Sequence, residues 1–368
     1  MRVQITTAAV VAVLSLAGAA SAGTFDIQPL GPVEGMTDVY ATDINNAGQA
    51  VGYIFDASGN RRAVRWDDGV ANVLPDAGQA RHSEAYRINN LGQIVGLSMS
   101  DGGSEQAAMW NADGSIVPIG ALPGGGYSFA NDITDGGLVV GSSTLGAGGQ
   151  HAFTWTAAGG LVDYGSFDSD NAQYFAGFNA ANESGKFVGT GYRLFSPFHA
   201  AMGQEGVLEV IDISPQAQFS MGMGLDVNEA GVMVGYQNDG SGAPEAAIFN
   251  GDGTYVGLGH LGLGESWASA INDEGIIVGR AFGDVEGEWV TKAFVYIDGT
   301  MHDLMDFVDD GSGWELFFSA DGINDRNQIV GSGIYNGEIR GYVITIPEPG
   351  AAGLLAAAGL ALVQRRRR

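Results

Sequence analysis

Carboxylates dominate the chemistry this sequence can offer: Asp and Glu number 42 against 16 Lys and Arg. Paired about 5–10 Å apart, carboxyls hydrolyse glycosidic bonds; gathered in a loop, they hold calcium. Four Asp/Gly-rich turns suit the second use: Asp67-Asp68-Gly69, Asp168-Ser169-Asp170-Asn171, Asn250-Gly251-Asp252-Gly253 and Asp309-Asp310-Gly311-Ser312-Gly313. None has the spacing and closing Glu of a helix–loop–helix calcium site. All fall where hairpin turns belong. Any calcium would sit at Asp309 and Asp310; no other cofactor is expected. The glycosidase use has no address, because no two acids stand out from the rest.

Other catalytic patterns are weaker. Of the five histidines, His151 and His199 hold equivalent positions one repeat apart, and repeat register accounts for them. No serine lies in a nucleophile elbow. Gly257-Leu258-Gly259-His260-Leu261-Gly262 spells a dinucleotide fingerprint without the strand–helix context that gives it meaning. No catalytic residue is assigned, and a non-enzymatic protein is expected. Aromatic residues outside the repeated slots offer a binding role instead. Tyr127, Tyr174, Trp267 and Trp289 lie near inter-strand loops among Asp and Asn, a composition suited to stacking on sugars while bonding their hydroxyls.

The elements that carry these residues repeat. The segment Ala85-Tyr86-Arg87-Ile88-Asn89-Asn90-Leu91-Gly92-Gln93-Ile94-Val95-Gly96 recurs in seven copies, ending at Gly52, Gly96, Gly141, Gly189, Gly235, Gly279 and Gly331. Each copy reads as strand, tight turn, strand. The turn is set by Asn45, Asn89, Asn182, Asn228, Asn272 and Asn324, with Thr134 in the third copy, and by a glycine three residues on. Asn327 replaces that glycine in the last copy, as the next most tolerant residue of the left-handed region. Adjacent apolar residues such as Ile94-Val95 and Ile277-Val278 mean that both faces of the second strand are covered.

A second motif keeps the same period and is clearest as His151-Ala152-Phe153-Thr154-Trp155. With a further strand after it, each unit of about 45 residues holds the four strands of a propeller blade. The chain starts mid-unit at Thr24–Gly31 and stops at Arg340–Ile346, the strand that should precede it. The expected fold is therefore all-β: a seven-bladed β-propeller of four-stranded blades over 23–346, closed by pairing of the N- and C-terminal strands.

The two ends carry address signals. Residues 1–22 have a charged start at Arg2, an apolar run and an Ala20-Ser21-Ala22 cleavage site, the pattern of a secretory signal. Residues 347–368 hold Pro347-Glu348-Pro349, an apolar stretch and Arg365-Arg366-Arg367-Arg368. As a short helical tail the stretch spans about 21 Å, short of the ~30 Å hydrocarbon core. This tail resembles the PEP-CTERM sorting signal, and the resemblance implies an exosortase-type membrane protease as partner and transient inner-membrane anchoring. The alternation of Ile-Asn-x-x-Gly-x-x-Val-Gly with His-Ala-Phe-x-Trp resembles the HAF family of extracellular repeat proteins. Only His151-Ala152-Phe153 keeps the naming triplet, and the fourth unit departs at Phe178 and Gly203. No catalytic residues come with that resemblance.

Setting aside Arg2, Glu348 and the four terminal arginines leaves 11 basic and 41 acidic residues in 23–346, a net charge of −30. Such a surface repels phosphate backbones and excludes nucleic acid as a partner. The expectation is an exported protein sorted to the cell surface or matrix, binding polysaccharide or surface protein or acting as a matrix component. The alternatives are a carbohydrate-active propeller enzyme and a calcium-stabilised lectin-like module.

Overall fold

The computed structural model describes residues 25–346, apart from 79–81, 147, 167–174, 193–197, 214–220, 239–241 and 310. The signal and the sorting tail, with Pro347, Glu348, Pro349 and Arg365 to Arg368, lie outside the described residues, as do Tyr174 and Asp310.

One unit shows how the sequence builds the fold. Ser83–Ile88, Ile94–Met99, Glu105–Trp110 and Ile116–Gly120 form a four-stranded antiparallel meander. Its second strand is buried on both faces, as neighbouring apolar residues require. Ile94 packs with Val51, Ala63 and Trp110, whereas Val95 packs with Val139, Phe153 and Trp155 of the following unit. The core thus lies between adjacent sheets. Trp110 closes one such layer, donating from Nε1 to the Pro75 carbonyl at 2.7 Å.

Each first strand packs against the first strand of the next unit, and Trp314–Ile323 returns to Thr37–Ile44. The terminal strands meet: Asp26–Pro29 pairs antiparallel with Glu338–Thr345. The architecture is an all-β propeller.

One part of the sequence expectation is corrected. Among the described residues the hydrogen-bonded sheets are not seven separate four-stranded blades. Five sheets have four strands, and one has eight. The eight-stranded sheet forms because Phe175 at the start of Phe175–Ala181 pairs in parallel with Gln150 of the preceding unit. Gly177 permits this approach, since a Cβ there would meet Ser142 Cβ at 3.0 Å. Other units carry Tyr40, Phe129, Met223 or Trp267 in that slot. The expected helical tail lies outside the described residues, whose helical content is the single 3₁₀ turn Leu304–Phe307.

The Asn turn does more than reverse the chain. Asn89 Oδ1 accepts from the amides of Leu91 and Gln93, fixing the hairpin, while Nδ2 donates to the Thr134 carbonyl of the next unit at 3.0 Å. The same transverse bond joins Asn45 to Asn89, Asn182 to Asn228, Asn228 to Asn272, Asn272 to Asn324 and Asn324 back to Asn45. A second cycle runs beside it, each backbone amide donating to the next side chain: Asn46, Asn90, Asp135, Glu183, Glu229, Asp273, Asp325 and again Asn46.

Candidate active site

Every first strand carries a β-bulge, with a register shift at Ala41/Asp43, Ala85/Arg87, Ala130/Asp132, Phe178/Ala180, Gly224/Asp226, Ala268/Ala270 and Ala320/Gly322. A bulge leaves one residue unpaired and re-aims its side chain. Those residues are Thr42, Tyr86, Asn131, Asn179, Leu225, Ser269 and Asp321, and together with Arg87 they line a central cavity of about 290 Å³. The glycine that ends each repeat faces the bulge. At Gly96 an added Cβ would lie 2.0 Å from the Glu84 carbonyl oxygen, and the other six repeat glycines are as tightly placed.

Arg87 separates this cavity from a second one of about 260 Å³ at the Asn-turn end, lined also by Asp43, Asp132 and Asp226. Arg87 Nη1 is 3.9 Å from Asp43 and donates to the carbonyls of Thr42 and Asp321, 3.3 Å each. Burial pushes the Asp43 carboxyl up to about 6 and Asp132 up to about 7, against the opposing pull of Arg87. Asp226 and Asp321 are raised by burial too. Three of these acids are built into the frame. Asp43 accepts from the Ile88 amide, Asp132 from Ala181 and Asp226 from Ile271, each bond reaching into a neighbouring unit.

The face opposite the Asn turns has a different chemistry. Glu84, 5% exposed, receives Arg61 Nη1 at 2.5 Å. His82 Nε2 lies 3.6 Å from Glu84 Oε1 and 3.3 Å from Glu105 Oε1, without a hydrogen bond to either. The Oε1 atoms of the two carboxylates are thus no more than about 7 Å apart, near enough to act on one glycosidic bond. Tyr86 links the set to the central cavity: burial, then the charges of Glu84 and Glu105, hold its hydroxyl far above the usual tyrosine range. Tyr53, stacked on Tyr40 at 5.0 Å and under Arg61, is raised to about 12, mainly by burial.

On the same face, a cavity of about 360 Å³ is walled by Phe175, Tyr192 and Phe198, with Ser142, Gln150, Asn179 and Thr190 supplying polar groups. The rings sit 5.7 and 5.4 Å apart in series. Asn179 belongs to both this cavity and the central one, so the two adjoin.

The residues singled out from sequence are scattered across this frame. Tyr127 is 51% and Trp289 65% exposed. Trp267 is partly buried, stacked on Tyr236 at 4.9 Å with the Arg280 guanidinium 4.6 Å from its ring centre. Asp309 accepts the Ser312 amide in a turn. Among the described residues no group of three or more His, Asp or Glu side chains could hold a metal ion. The repeat asparagines are brought together around the Asn-turn opening, where Asn45, Asn89, Asn228, Asn272 and Asn324 line the 260 Å³ cavity. His151 and His199 make cross-strand pairs with Asp163 and Asp212 at 2.8 and 2.9 Å, as repeat register implies.

Sequence reading missed Glu84, Glu105 and Arg87. A signal existed for two of them. Glu84 is the one charged residue in a slot filled elsewhere by Tyr40, Phe129, Gly177, Met223, Trp267 and Ser319. Arg87 is the one cation in a slot otherwise holding Asp43, Asp132, Ala180, Asp226, Ala270 and Gly322.

No protein-family model and no curated protein matches the chain. Solved structures do. An oligogalacturonate lyase in complex with manganese is 11% identical with a TM-score of 0.55, the match covering 88% of this chain and 96% of that one. The oligogalacturonate lyase of Vibrio parahaemolyticus is 11% identical with a TM-score of 0.56, over 88% and 98%. A prolyl endopeptidase is 10% identical with a TM-score of 0.56, over 85% of this chain and 50% of the other. At these identities the likeness shows the fold alone. The expectation of a non-enzymatic protein is corrected to that extent: the propeller fold of this chain is one that enzymes also use.

Proposed function

We propose that this protein is an exported, carbohydrate-active propeller that hydrolyses a neutral polysaccharide on the face opposite the Asn turns. The observation that carries the reading is the Glu84–His82–Glu105 cluster beside the Tyr86 wall of the central cavity, with the aromatic cavity adjoining. Glu84, paired with Arg61, is the base or nucleophile; Glu105, with a side chain 32% exposed, is the proton donor to the leaving oxygen. Phe175, Tyr192 and Phe198 stack on sugar rings, and Gln150, Asn179 and Thr190 bond their hydroxyls. A net charge of −30 disfavours polyuronates and other anionic polymers.

The tail supports a route to this substrate. An exosortase-type protease would remove it after transient anchoring and release the propeller to the cell surface or matrix. Intact mass of the mature protein tests that route: a chain still ending in Arg365 to Arg368 contradicts it.

Release of reducing ends from a panel of neutral and uronate polysaccharides tests the activity. Turnover of a neutral member is expected, with Glu84→Gln and Glu105→Gln each lowering it by about 100-fold or more. Variants as active as the parent would refute the assignment.

A further inference from the structure

We infer that Trp289 is the tip of a second polysaccharide-binding platform, separate from the acid–base cluster, which keeps a long neutral chain on the protein. The inference rests on the reading above only in taking a neutral polysaccharide as the ligand.

Trp289 is 65% exposed, an unusual state for the side chain with most to gain from burial. It does not hang from a loose loop. Ile277–Val285 and Glu288–Ile297 are nine- and ten-residue strands joined by a two-residue turn at Glu286 and Gly287, both with positive φ. That turn matches the twist of its strands and holds the hairpin stiff. The ring is backed by a continuous aromatic series: Trp289 on Phe282 at 5.9 Å, Phe282 edge-on to Trp267 at 5.1 Å, and Trp267 stacked on Tyr236. Arg280 closes the far side of Trp267. A flat aromatic surface fixed from behind and open in front loses little conformational freedom when a pyranose stacks on it.

Position and charge define the occupant. The hairpin tip points to the same face as Phe175, Tyr192 and Phe198, because first strands begin at that face and second strands pass into third strands there. A polymer seated in the aromatic cavity therefore meets Trp289 only if it extends beyond that cavity. Asp284 stands opposite Trp289 in the ladder, with Glu286 and Glu288 beside it, so an anionic chain is repelled.

Affinity electrophoresis of the full-length protein tests this, using gels that contain mixed-linkage β-glucan, galactomannan, xyloglucan or polygalacturonate. The parent and Glu84→Gln should be retarded by at least one neutral polymer and not by polygalacturonate. Trp289→Ala should bind about threefold to tenfold more weakly, Trp289→Phe should fall between, and reducing-end release from a short oligosaccharide should be unchanged in both. Equal retardation of Trp289→Ala and parent overturns the platform, as does a parent that no polymer retards. Loss of retardation in Trp289→Ala without turnover by the parent would leave the platform standing and remove the hydrolase.

Discussion

Asn89 ties two units together with one side chain, and this makes it a sensitive place to test the frame. Its oxygen accepts two amides of its own turn, and its nitrogen reaches the Thr134 carbonyl. Asn89→Ala strands these buried partners and should cost about 1–3 kcal/mol in denaturant unfolding. A loss below about 0.5 kcal/mol would show the transverse bonds to be ornamental. Thr134 carries a hydroxyl where the other six stations carry an amide, so Thr134→Asn should stabilise by about 0.5–1 kcal/mol; a drop in the unfolding midpoint would contradict the geometry. The turn role of these asparagines was legible because its partners lie within four residues. The bond to the next unit was not, because its partner lies 45 residues away. Glu84 was marked by its slot, but its pairing with Glu105 was not: among 42 acids, only the fold brings those two to one histidine.

Among the elements, the bulged first strand governs what the channel displays. The bulge turns Tyr86, Asn179 and Asp321 inward, and the facing glycine is the room it needs. Gly96→Ala forces a Cβ against the Glu84 carbonyl and should cost about 1–3 kcal/mol or more, moving Glu84 as it does so. Thermal unfolding indistinguishable from the parent would rule out this packing. The repeat showed the glycine and the both-face burial of Ile94-Val95 plainly. It did not show the bulge, which leaves no apolar period. Nor did it show the junction at Gln150 and Phe175, although Gly177, the one glycine in its slot, marks the place.

For the whole molecule, charge sets both partner and pH response. Asp43 near 6 and Asp132 near 7 lie above the ~4 of an exposed carboxyl. Between these values the folded protein holds protons that the unfolded chain has released, so their contribution is full below pH ~4 and is lost as pH rises to about 7. The midpoint should therefore fall over that window, and Asp132→Asn should flatten the fall. A midpoint that rises through the window in the parent, or a slope unchanged in the variant, would contradict the buried acids. The net −30 adds self-repulsion of the same sign, which is why the difference between parent and variant is the useful quantity. The most direct test of the central claim is mass spectrometry of the fragments released from a neutral polysaccharide. Hydrolysis by the Glu84–Glu105 pair predicts saturated oligosaccharides, each cleavage adding one water, and their absence with Glu84→Gln. An intact polymer, or fragments with unsaturated ends, would contradict it.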